Sequence, residues 1–185
     1  MEDKQTHTVY AIDNIGCYVG EALCDIGLIP DGCVAVKPLL DKEGFIAKWN
    51  GDNWEYVVDS RLMDVKKSEK IEHLNHAAQA FANSMAEINK VPDFEFASWS
   101  IQAVEAKAWN VDKNADTPVL NQIAASRGIN ADKLKAAALR KTLAYERLSA
   151  NIAGQRQALQ SKIERATDMA ALEAIEIVFT EPEAV

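Results

Sequence analysis

Between Ala131 and about Ala166 the apolar side chains recur at steps of three, four and seven: Leu134, Ala138, Tyr145, Leu148, Ile152, Leu159 and Ile163. That spacing describes a narrow stripe along one unbroken helix, suited to a coiled coil or a packing arm. Asn130 stands where a helix N-cap is needed. A helix of this length spans roughly 50 Å, more than a small globule covers. Part of it is therefore expected to face a partner, with Tyr145, Leu148, Ile152 and Leu159 as the contact residues. A second copy of the chain is one such partner. Gly154 sits inside the helix and weakens it locally by about 1 kcal/mol.

The rest of the second half also reads as helical. Ile71, Leu74, Ala77, Ala78, Phe81, Met85 and Ile88 keep helical spacing from about Ser68 to Asn89. Val91-Pro92-Asp93 breaks the pattern. Ser98 is placed to cap a helix over about Trp99 to Trp109, with Ile101, Val104, Ala108 and Trp109 as its apolar side. Trp99 and Trp109 are expected in the core. Thr117-Pro118 opens a further helix with Leu120, Ile123 and Ala124 as its buried stripe, and Gly128 ends it. Thr167 or Asp168 caps a last short helix from Met169 to about Ile177, followed by an acidic tail.

The first sixty residues carry the other periodicity. Thr8–Ile12 is rich in β-branched and aromatic residues, Asp13–Gly16 is a turn, and Cys17–Ala22 can return as its partner strand. Ile29-Pro30-Asp31-Gly32 turns into a short strand, Cys33–Val36. Phe45–Trp49 and Trp54–Asp59 flank Asn50-Gly51-Asp52-Asn53, a hairpin cue. Phe45, Ala47 and Trp49 alternate on one face, as do Trp54, Tyr56 and Val58, so cross-strand aromatic pairs would pin the register. The expected fold is α+β: a small antiparallel β module over 1–60, a junction over 61–68, and a helical module over 69–185 with one long helix and an acidic tail.

Composition narrows the function classes. The 185 residues are 48% hydrophobic and 26% charged, an ordinary globular balance. No apolar run reaches the roughly 18–20 residues of a membrane span, so no membrane association is expected. The polar opening Met1-Glu2-Asp3-Lys4-Gln5 is not followed by a hydrophobic segment, so no secretory leader is expected. Net charge is −8, but residues 131–166 hold eight basic and three acidic residues, a net +5 that leaves −13 on the rest. Two readings of that basic stretch stand: a solvated face paired with the chain's own acids, or a surface for an acidic partner. The basic residues are spread around the helix without interleaved aromatics, which disfavours nucleic acid.

Reactive constellations are sparse. Cys17, Cys24 and Cys33 are odd in number and lack CxxC spacing, and read as reduced, buried thiols. His73 and His76 lie three apart near Glu72, a weak metal spacing without further ligands, so no metal or cofactor is expected. His7 with a cysteine could form a nucleophile pair, and Asp13, Asp25, Asp52 and Asp59 could supply a carboxylate pair, but nothing local supports either. No phosphate loop, dinucleotide fingerprint, zinc-protease helix or nucleophile elbow occurs. No catalytic residue is assigned, and a binding or assembly protein is expected rather than an enzyme. Trp49, Trp54 and Tyr56 at the hairpin are the remaining candidates. Exposed, they would stack on a protein partner or on a sugar ring, which keeps a carbohydrate-binding module open as an alternative; the other reading has Trp49 and Trp54 packed on each other as cover for the small β module.

Several segments resemble a known family. Ile29-Pro30-Asp31-Gly32-Cys33-Val34-Ala35-Val36 followed by Ala47-Lys48-Trp49-Asn50-Gly51-Asp52-Asn53-Trp54-Glu55 is similar to the N-terminal module of tail-fibre assembly proteins of tailed bacteriophages and prophages. The stretch Ser98 to Trp109, then Thr117-Pro118-Val119-Leu120, then Ala166 to Ile175, resembles the C-terminal segment of many such proteins. The resemblance implies a non-enzymatic chaperone that binds the distal end of a trimeric fibre and helps it fold, trimerise or attach. It also implies action in the cytoplasm of the infected host. A tail or baseplate component retained in the virion is the structural alternative.

Overall fold

In the computed structural model, which describes residues 5–182, the chain forms an α+β structure. The strands are β1 (Thr6–Ile12), β2 (Tyr18–Asp25), β3 (Cys33–Val34), β4 (Phe45–Trp49) and β5 (Trp54–Val58). The helices are α1 (Ser60–Met85), α2 (Asp93–Val111), α3 (Pro118–Arg127), α4 (Ala131–Arg165) and α5 (Met169–Glu173). The leader expectation rests on residues that lie partly outside the described ones, as does the end of the acidic tail. No described helix is long and apolar enough to cross a membrane. The chain divides into two compact units: residues up to Glu69 with Ala166–Ala174, and Lys70–Arg165 with the chain from Ile175 onward.

In the first unit β1 is the middle strand of an antiparallel sheet ordered β2-β1-β3. Asp13 makes the tight turn that joins β1 to β2. Its Oδ1 accepts from the backbone N–H groups of Ile15 at 3.0 Å and Cys17 at 2.9 Å, the local competition that makes Asp a turn former. Gly16 completes the turn at φ 88, and a Cβ there would meet the Trp49 carbonyl oxygen at 2.7 Å. The ladder runs from Thr6↔Asp25 to Ala11↔Gly20, then skips to Ile12↔Tyr18. Val19 is therefore the extra residue of a bulge. β3 ends at Val34, two residues short of the expected strand. A separate hairpin pairs β4 with β5 in the expected register, closing on Trp49↔Trp54. Asn50 Oδ1 holds its loop by accepting from Asp52 N and Asn53 N. Val9, Cys17, Ala47, Trp54, Met63 and Leu172 are the buried apolar residues of this unit.

Two helix starts differ from expectation. The first helix begins at Ser60, eight residues early, because Asp59 rather than a later residue caps it: its Oδ1 accepts from Arg61 N and Leu62 N. α2 begins at Asp93, not at about Trp99. Pro92 is preset for the position before the first turn, and Asp93 and Glu95 favour the positive end of the helix dipole. Ser98 is thus interior, its hydroxyl donating back to the Glu95 carbonyl oxygen at 2.7 Å. Three other expected caps are in place. Asn130 Oδ1 accepts from Lys133 N, Asp168 Oδ1 accepts from Ala171 N, and Gly128 ends α3 at φ 64. α5 stops at Glu173, short of Ile177.

In the second unit α2, α3 and α4 pack against one another. Leu148 and Ile152 of α4 share a core with Ala78 of α1, flanked by Phe81, Ala82, Met85, Ala86 and Phe179. Phe179 stacks on Phe81 at 5.9 Å, and Gln155 fastens the same strand of chain by exchanging bonds with the Thr180 backbone.

Candidate partner-binding surfaces

The hairpin aromatics divide into a core member and a surface member. Trp54 is 9% exposed, its Nε1–H donates to the Val36 carbonyl oxygen at 2.9 Å, and its ring meets Tyr18 edge-on at 6.1 Å and Trp49 at 5.4 Å. Trp54, named as a partner-binding candidate, is thus a core residue: in a module this small an indole does more by filling the centre than by waiting at the surface. Trp49 is half-buried beside it. Tyr56 keeps an exposed edge, but its hydroxyl donates to the Leu40 carbonyl oxygen at 2.6 Å, and Lys42 lies over the Phe45 ring at 4.2 Å. Trp49, Trp54 and Tyr56 do not form the open stacking platform that a sugar ring needs.

The long-helix residues divide in the same way. Leu148 and Ile152 are buried in the core with α1 and the Phe179 segment, so the seam is largely satisfied within the chain. Leu159 is half-buried, and Tyr145 is exposed. Of the four residues proposed from periodicity, Tyr145 presents the most surface.

Two apolar surfaces were not found by periodicity. β2 is an edge strand, and the bridge from Cys17 to Lys48 falls just before its first residue. Val19 and Leu23 on it, and Ile26, Leu28 and Ile29 in the following turn, are all exposed. The sequence signal was present in Ile26, Leu28 and Ile29, of which only Ile29 entered the reading, as the first residue of a turn. The second surface is on α2. Ile101, Val104 and Ala108, expected to be buried, are exposed, and α2 buries Glu105 and Ala106 instead. Glu105 explains the choice of face. Its carboxylate accepts from Val119 N at 3.0 Å and Leu120 N at 2.8 Å, satisfying the orphan donors at the start of α3. Thr117, the expected cap, makes no such bond.

The chemically suggestive residues are accounted for structurally. Asp13 and Asp59 are a turn acceptor and a helix cap. Glu72 faces His76 across one exposed helical turn at 3.8 Å. Among the described residues no three His, Cys, Asp or Glu side chains converge as a metal site would require. The ladder does bring His7 opposite Cys24, with Sγ 3.6 Å from Nε2. The thiol is not activated by it. Sγ donates to the Leu28 carbonyl oxygen at 2.9 Å, and desolvation, aided by Cys33 and Asp25, raises its pKa above the ordinary thiol range. All three cysteines are free thiols.

With the geometry in place, the comparisons add one likeness. Residues 140–178 match the family model of the HI1402 helical domain. That stretch holds most of α4, all of α5 and the start of the segment that Phe179 anchors. The description names an architecture and no partner. No curated protein and no solved structure matches the chain.

Proposed function

We propose that this chain is a non-catalytic assembly protein that covers the unfinished strand edges of a partner, as tail-fibre assembly proteins of tailed bacteriophages do. The observation that carries the reading is the open edge of β2 with Val19 and Leu23 exposed, continued by the apolar turn Ile26–Ile29. Apolar edges of this kind are normally blunted by charge, proline or cover, because they pair readily with another chain. A protein that keeps one has a use for it: an extended segment can add as a strand, its backbone bonds supplying affinity and its alternate side chains selectivity. Fibre tips fold slowly because their strands pair across chains, and they expose such segments meanwhile. The resemblance of the hairpin and helical segments to this family points the same way. The partner is the distal end of a fibre, and the site of action is the host cytoplasm.

The test is co-expression of a fibre subunit with the wild-type chain, with Leu23→Lys, and alone, scored as soluble trimer. The reading expects a gain from the wild type that Leu23→Lys loses, through an interface of at least about 1,000 Å². Equal trimer yield in all three arms overturns it. A transient chaperone is also expected to be absent from purified virions by mass spectrometry.

A further inference from the structure

The geometry points to α2 as a self-association helix: two copies of this chain pair antiparallel through Phe94, Ala97, Ile101, Val104, Ala108 and Val111. These residues recur at alternating steps of three and four over the whole helix, the spacing of a coiled-coil seam. The four large ones are 79%, 51%, 69% and 90% exposed for Phe94, Ile101, Val104 and Val111, and both alanines are exposed. Ala106, on the face that packs in the chain, lies on the far side of the helix from the seam, and the buried Glu105 flanks the seam one turn from Ile101. An exposed stripe of this length, about 27 Å, with no charged residue in it, is unusual on a monomer surface.

Three features select a second copy as the occupant. The first is area. The six side chains offer roughly 500–600 Å² per copy, so self-pairing removes roughly 1,000–1,200 Å², the threshold of a specific interface. The second is shape. Antiparallel pairing sets Phe94 against Val111 of the second copy, Ala97 against Ala108, and Ile101 against Val104. Large meets small at the ends, and the alanine layers let the helices approach closely. Parallel pairing would stack Phe94 on itself and leave the Val111 layer thin. The third is electrostatic: antiparallel pairing opposes the two helix dipoles. This surface is separate from β2 and does not depend on the fibre reading.

Sedimentation equilibrium of the full chain tests the inference. The wild type is expected at twice its 20.4 kDa mass. Val104→Glu and Ile101→Glu are expected as monomers with unchanged circular dichroism, since both side chains are exposed, and with association weakened at least about 100-fold by a charge placed in the seam. A wild-type monomer at 100 µM overturns the inference, and so does a dimer that both variants leave intact. Orientation has its own test. Mixing Ile101→Glu with Val104→Lys places the two charges opposite one another only when the helices run antiparallel. Recovery of a heterodimer is expected, and failure to recover it overturns the antiparallel arrangement.

Discussion

Glu105 carries more structural responsibility than its type announces. A buried carboxylate on one helix caps the next, so removing it strands two backbone donors rather than one side chain. Glu105→Ala is expected to destabilise the helical unit by about 2–3 kcal/mol, and Glu105→Gln by less, because an amide oxygen can still accept one bond. Urea denaturation followed by circular dichroism measures both. Cys24 is the other residue whose surroundings decide its behaviour. Its pKa is raised, so at pH 8 less of it is thiolate than of an ordinary cysteine. Peptide-resolved alkylation should find it slow at pH 8 and accelerating as the pH climbs beyond the ordinary thiol range. Fast labelling at pH 8 would mean that His7 activates it after all. Neither role was legible in the sequence. Glu105 is fourteen residues from Val119, and nothing local marks the separation as a contact.

At the scale of elements, periodicity located nearly every helix and strand but misjudged which apolar face is inward. α4 runs from Ala131 to Arg165, as its stripe and its Asn130 cap require, and Gly154 does not break it. A continuous stripe does not say what it packs on. Leu148 and Ile152 meet α1 and Phe179, while Tyr145, on the same helix, stays at the surface. Leu148→Ala should therefore cost about 2–4 kcal/mol through the cavity it leaves, and Tyr145→Ala less than about 1. Equal losses in urea titrations of the two variants would refute the division. α2 shows the same ambiguity more sharply. It has apolar residues on both sides, and a sequence cannot rank two stripes when the decisive interaction is a buried acid reaching another helix. The β hairpin is the contrary case: Asn50, the aromatic alternation and the short loop together leave a single register, and Trp49↔Trp54 closes it as expected.

For the whole molecule, the pattern is of two compact units, each with its own buried residues, and two exposed apolar surfaces on separate elements. Self-pairing through α2 makes stability depend on concentration. A tenfold rise in protein should add on the order of 1 kcal/mol and lift Tm by about 2–4 °C, an effect that Val104→Glu abolishes. A Tm independent of concentration in the wild type would contradict the pairing. The sequence by itself determined the α+β class, the hairpin register, the long helix and most of its caps, because those depend on neighbours within a few residues: turn chemistry, capping side chains and the two periodicities. Only the tertiary structure decided that Trp54 is core, that Leu148 and Ile152 are satisfied at home, and that β2 and α2 remain uncovered. Burial is a property of what arrives from elsewhere in the chain, and the Glu105 carboxylate, the Val36 carbonyl and the Phe179 ring all arrive from outside the local window.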